Sequence, residues 1–154
     1  LFRSNSPRDS EVYLNIGTLY YLDKKYDEAE RYYKLAVKSQ DGLWQPWNNL
    51  GVIAYLKKDY PQAENLFKIA ADKDASAALP RKLLISLYIK QNRIGEAFDI
   101  ARGYWEKFPN DEWFGFLLVE FYEFYDQEEK ALEVIQRMIK ITGKKPKELF
   151  KTLP

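Results

Sequence analysis

Trp47-Asn48-Asn49-Leu50-Gly51, followed by Ala63-Glu64-Asn65-Leu66-Phe67, decides the fold because it comes back. One period earlier the chain reads Tyr13-Leu14-Asn15-Ile16-Gly17 and then Ala29-Glu30-Arg31-Tyr32-Tyr33. Four alanines keep the beat: Ala29, Ala63, Ala97 and Ala131 each stand 34 residues apart. Gly17 with Gly51, Tyr26 with Tyr60, and Ala36 with Ala70 share the same interval, and Tyr20, Tyr88 and Tyr122 fall at another common place, where the second copy has Ala54. A period of this length marks a stacked array of supersecondary units. Small residues at the recurring alanine and glycine places let two antiparallel helices approach closely, and the aromatics fill the wider gaps around them. One pair of helices cannot bury its apolar stripe alone, so neighbouring pairs complete the core.

The pattern resembles the tetratricopeptide repeat, with its W-x2-L-G-x2-Y, A-x3-F and P signature. The first two copies carry it strongly. The third keeps Tyr88, Ala97 and Pro109 but has Arg81 and Ile85 in place of the early aromatic and the glycine. The fourth keeps Leu118, Tyr122 and Ala131 and has Gly115 and Val119 at those two places. The resemblance spans Ser10 to Lys145 and implies an all-α fold, a right-handed α-solenoid of four antiparallel helix pairs. The expected organisation is an extension over 1–9, repeats over 10–43, 44–77, 78–111 and 112–145, and a capping segment over 146–154. Helices are expected near 10–23, 27–40, 44–57, 61–74, 78–91, 95–108, 112–125 and 128–141. Pro46, Pro61 and Pro80 fit first turns, where a missing N–H costs nothing. Gly143 suits the residue that ends the eighth helix. Leu149, Phe150 and Leu153 can then form one apolar side of a short ninth helix over the open end of the stack.

Composition narrows the function. The chain of 154 residues has no Cys and no His, which removes thiolate or imidazole metal sites, Cys nucleophiles and His as general base. Glu120 and Glu123 share a helix face with no opposed carboxylate, and Gly143-Lys144-Lys145 lacks both the upstream glycine and the Ser or Thr of a phosphate loop. No enzyme activity and no cofactor are expected. The net charge is +1, and the basic third copy lies between a neutral and an acidic copy. No continuous stripe of phosphate contacts results, so no nucleic acid is expected. No apolar run has the length a bilayer requires, so direct membrane insertion is not expected either.

What remains is a module that binds a protein or peptide. The alternative is a scaffold segment or self-association module. In the family's usual arrangement the first helix of each pair lines a concave face. Carried over to this chain, the resemblance selects Tyr21, Asn48, Val52, Tyr55, Lys82 and Trp113 as partner-binding residues. Tyr21 and Tyr55 recur at the repeat interval, and Tyr and Trp offer large contact area with few torsions. Chaperone-binding relatives grip a terminal carboxylate with a set of Lys, Asn and Arg side chains. Here Leu14 and Thr18 occupy the Lys and Asn places of the first repeat, Asn49 matches, and Leu79 and Leu83 replace the Lys and Arg of the third. The resemblance therefore implies no carboxylate clamp in that register.

Overall fold

The computed structural model describes residues 7–39 and 42–149. These residues form nine helices and no strand: α1 Pro7–Leu22, α2 Tyr26–Ser39, α3 Trp44–Leu56, α4 Tyr60–Lys73, α5 Ala78–Lys90, α6 Ile94–Lys107, α7 Glu112–Phe124, α8 Glu128–Thr142 and α9 Pro146–Leu149. The eight long helices match the expected set. α1 begins at Pro7, three residues ahead of the expected Ser10, and so takes in part of the supposed extension. The chain divides into two compact units, Leu1–Leu87 and Tyr88–Pro154, with the division inside α5.

In the first unit, α2 buries Ala29, Tyr33 and Ala36, and α4 buries Ala63, Leu66, Phe67, Ala70 and Ala71. Residues four and three apart fall on one helical face, so these form an inward stripe. The glycines of the first helices lie under the rings of the second. A Cβ built on Gly17 would stand 2.7 Å from the Tyr33 ring, and one on Gly51 would stand 2.6 Å from Phe67. Only hydrogen fits there. Ser10 adds a buried tie, its hydroxyl donating to the Ala36 carbonyl at 2.9 Å.

Helix pairs close by one repeated turn. Lys24, Lys58, Asn92 and Asp126 all have positive φ, between 54° and 64°, and stand at the repeat interval. In the first turn, the Lys25 N–H donates to the Tyr20 carbonyl and the Lys24 N–H to Tyr21, both at 2.9 Å. The same two bonds recur at Asp59 and Lys58, at Arg93 and Asn92, and at Gln127 and Asp126. This is the Schellman closure, which satisfies carbonyls that a helix end leaves without partners. α4 then starts on Asp59, whose side chain accepts from the Gln62 N–H at 3.1 Å, with Pro61 in the first turn.

Arg81, the departure in the third copy, has a local role. Its guanidinium donates to the carbonyls of Ala71, Asp74 and Ala77 at 2.8, 3.1 and 2.7 Å. A cation at a helix C-terminus suits the dipole as well as the orphan carbonyls. It ties the end of α4 to the start of α5.

The second unit packs α7 between α6 and α8 around larger rings. Tyr104 and Phe114 sit 4.2 Å apart, and Phe98 meets Phe121, Tyr122 and Tyr125 edge to face. Gly115 makes the close approach: a Cβ there would meet Met138 Sδ at 2.6 Å and Trp105 Nε1 at 3.0 Å. Gly143 ends α8 at φ 67°, and the Lys144 ammonium pairs with Glu112 in the first turn of α7. α9 follows, with Leu149 fully buried. Phe150 and Leu153, the rest of the expected cap, lie outside the described residues.

Candidate binding pocket of the first unit

The first helices of three repeats and one ring from a second helix enclose a pocket of about 330 Å³. Thr18, Tyr21 and Leu22 come from α1, Tyr33 from α2, Asn48, Asn49 and Val52 from α3, and Leu79 and Leu83 from α5. None of these side chains is charged. Leu22 is 70% exposed and Leu79 47%, so the rim is apolar and open to solvent.

Two hydroxyls of the wall are hydrogen-bonded within the chain. Thr18 donates to the Leu14 carbonyl at 2.9 Å, and the Tyr33 phenol donates to Thr18 Oγ1 at 3.4 Å. Burial pushes the Tyr33 phenol above the usual tyrosine range, against the lowering effect of its hydrogen bonds to Thr18 and Asn49. Asn48 is different. It is only 2% exposed; its Nδ2 donates to Asn49 Oδ1 at 3.5 Å, and its own Oδ1 has no partner among the described residues. A buried amide oxygen without a donor is uncommon enough to need a reason.

Of the six residues selected from the sequence, Tyr21, Asn48 and Val52 line this pocket, and Tyr55, Lys82 and Trp113 do not. Tyr55 packs its ring on Tyr60 at 5.5 Å, and Tyr21 packs on Tyr26 at 5.7 Å with the same 54° tilt. The recurrence of Tyr21 and Tyr55 thus has an intramolecular cause, a ring pair repeated in two copies. Tyr21 serves that pair and the pocket together. Lys82 is half-buried on α5. Trp113 belongs to the second unit, is 39% exposed, and lies edge-on to Phe114 at 4.9 Å. Thr18, Asn49, Leu79 and Leu83, weighed above only as places of a carboxylate clamp, complete the wall together with Leu22 and Tyr33, none of the six having been selected. Leu22 carried no signal beyond being apolar at the end of a first helix, and Tyr33 read as core.

A second pocket of about 270 Å³ has Val37, Trp47, Leu50, Ile53, Ala54 and Leu66 as its apolar part and Glu30, Lys34 and Lys57 among its lining. Those charges pair internally: Lys57 with Asp27 and Glu30, each at 2.7 Å, and Lys34 with Glu30 at 2.6 Å. Lys34 and then Lys57 hold the Glu30 carboxyl below its usual range. Among the described residues, no group of three or more acidic side chains is placed to hold a metal ion, and no helix is long and apolar enough to cross a membrane.

Comparison with known proteins agrees with this architecture. The family profile of the tetratricopeptide repeat matches residues 11–40. A solved MamA structure, the RS-1 ArsTM double mutant, superposes with a TM-score of 0.64 at 18% identity, covering 91% of this chain and 79% of that one. A further crystal structure of MamA gives 0.65 at 15% identity, covering 88% and 79%. The first tetratricopeptide domain of Spaghetti (RPAP3), bound to the HSP90 peptide SRMEEVD, gives 0.65 at 17% identity, covering 79% of this chain and 98% of that one. Likeness at these identities is likeness of fold. No curated protein matches the sequence. The chain thus carries a tetratricopeptide-repeat match in its first repeat and shares the all-α, helix-pair fold of these solved structures.

Proposed function

We propose that this chain is a protein–protein interaction module, not an enzyme, and that it holds a polypeptide segment in the pocket of its first unit. Tyr21, Asn48 and Val52 make the contact. The observation that carries this reading is an uncharged, apolar-rimmed pocket built on first helices, with one buried amide oxygen unanswered. A related fold has been solved with a peptide, which supports the same class of ligand. Concave helical surfaces of this kind suit extended or helical peptides.

The test starts from a displayed library of random peptides selected on the full chain. Peptides should be enriched, and Tyr21→Ala/Val52→Arg should weaken the winner at least about tenfold, or about 1.4 kcal/mol, with its helical spectrum unchanged. No enrichment, or binding indifferent to the double variant, overturns the reading.

A second reading has its own observation. In the second unit Phe124 is 68% exposed and Leu132 56% exposed, close to where α7 turns into α8. Exposed apolar groups of this size favour self-association or a scaffold role. Sedimentation that stays monomeric over a wide concentration range sinks it. Trp113 is a candidate contact of that unit, and Tyr55 and Lys82 are candidates for flanking contacts in the first.

A further inference from the structure

We infer that the pocket of the first unit takes an internal, uncharged stretch of chain, an apolar side chain with a backbone N–H donated to Asn48 Oδ1, and that it rejects a terminal carboxylate. The inference rests on the interaction reading above and names the chemistry of the ligand.

Three observations converge. All nine lining side chains are uncharged. A carboxylate entering would lose its water without meeting a cation, a cost that only pairing or several hydrogen bonds can offset. Two of the three hydroxyl protons are already used, since Thr18 gives its own to Leu14 and Tyr33 gives its own to Thr18, and the third, on Tyr21, is a single neutral donor. Among the described residues, the buried side-chain atom of this lining that lacks a hydrogen-bond partner is an acceptor, Asn48 Oδ1.

The direction of that amide matters. With Nδ2 toward Asn49 Oδ1 the two side chains attract; turning it over would set two oxygens against each other at the same 3.5 Å. The free atom therefore asks for a donor, and a carboxylate has none. A peptide N–H answers it. Beside it, Val52 and Leu83, with the 47% exposed Leu79, give the adjoining side chain an apolar seat. Room at the small end of ligand pockets suits one side chain and its flanking amides.

The experiment selects on the full chain with two random peptide libraries. One is fused at both ends, so no carboxylate is free; the other ends in a free C-terminus. The doubly fused library should be enriched, with an uncharged apolar residue at the shared position. A synthetic copy of the winner should bind at least about tenfold more weakly when it ends as a free acid directly after that residue than when it ends as an amide. N-methylation along its backbone should find one position that costs about tenfold in the natural chain and little in Asn48→Ala. Should Asn48→Ala not fold, the acid–amide comparison and the methylation scan on the natural chain still decide. Leu79→Lys/Leu83→Arg should invert the preference toward the free acid.

Enrichment from the free-terminus library alone, a charged residue at the shared position, or tighter binding of the acid overturns the inference and leaves the interaction reading standing. Failure of both libraries removes the interaction reading as well.

Discussion

In the second repeat Gly51 lies under the Phe67 ring, whereas in the fourth Gly115 lies under Met138 and Trp105. Both are close approaches of a first helix to its partner, made at different levels of the helix. Gly51 holds the eighth place of its copy and Gly115 the fourth place of its own, where the second copy has Trp47. The second helix answers in kind. Phe67 and the small Ala70 of the second repeat become Ile135 and the large Met138 of the fourth. The third copy goes further, with buried Ile85 at the glycine place and buried Ala101 at the ring place. In each copy a small residue on one helix stands in register with a large one on the other, and which helix supplies the large one is free to change.

The most forceful way to break this comparison is to empty the larger partner. Phe67→Ala should cost about 3–5 kcal/mol by urea unfolding, the usual range for a buried ring. Gly51→Ile added to it transplants the third-copy pair and should recover at least about 1 kcal/mol. A double variant weaker than Phe67→Ala would show that volume is not exchangeable between the two helices.

Next come the glycines themselves. Gly51→Ala should destabilise by about 1–3 kcal/mol despite the roughly 1 kcal/mol that alanine gains in helix propensity, because a fully packed ring must move. Gly115→Ala should cost under about 1 kcal/mol, since its nearest obstacle is the flexible end of Met138, and Met repacks readily. Equal losses at the two sites would erase the distinction between a rigid and a yielding contact.

Arg81 sharpens the point from the third copy. Arg81→Ala should cost about 1–2 kcal/mol through three lost carbonyl contacts, and Arg81→Lys should restore less than half, because an ammonium lacks the planar fork. Full rescue by Lys would reduce Arg81 to a point charge.

The smallest effect is electrostatic. Glu30–Lys34 and Glu64–Lys68 repeat on α2 and α4, but the corresponding places further on hold Phe98 and Leu132. The Glu30 carboxyl is depressed when folded, so its contribution is present above its ordinary value of 4.5 and fades as pH falls through the folded value. Glu30→Gln should flatten the acid limb of a stability–pH curve by no more than about 0.5 kcal/mol, as the partners are well exposed. A larger loss at neutral pH would assign Glu30 a packing role.

The helices were legible because alanines at the tightest places tolerate nothing larger, so the period survives where other positions drift. The closing turns were half legible. Asn92 and Asp126 suit a left-handed residue, while Lys24 and Lys58 carry no such signal and adopt it because two backbone hydrogen bonds compensate. The pocket was legible in part for a similar reason. Leu79 and Leu83 stood out as apolar replacements at places where relatives hold cations, and Asn48 and Val52 followed from register. The recurrence of Tyr55 has a second source, since recurrence marks any repeated contact, including one with the chain's own Tyr60.

The left-handed turns bear on how such a chain can lengthen or shorten over generations. Lys24, Lys58, Asn92 and Asp126 put the same hydrogen-bonded corner at one fixed interval. A slip in copying that adds or removes one whole interval joins like to like, wherever the break falls, and every corner keeps its carbonyls satisfied. A slip of any other length leaves a helix end facing the wrong donors and sets a ring where a glycine must be. Growth in whole repeats is thus the change the backbone itself tolerates, and partial ones carry their penalty at once.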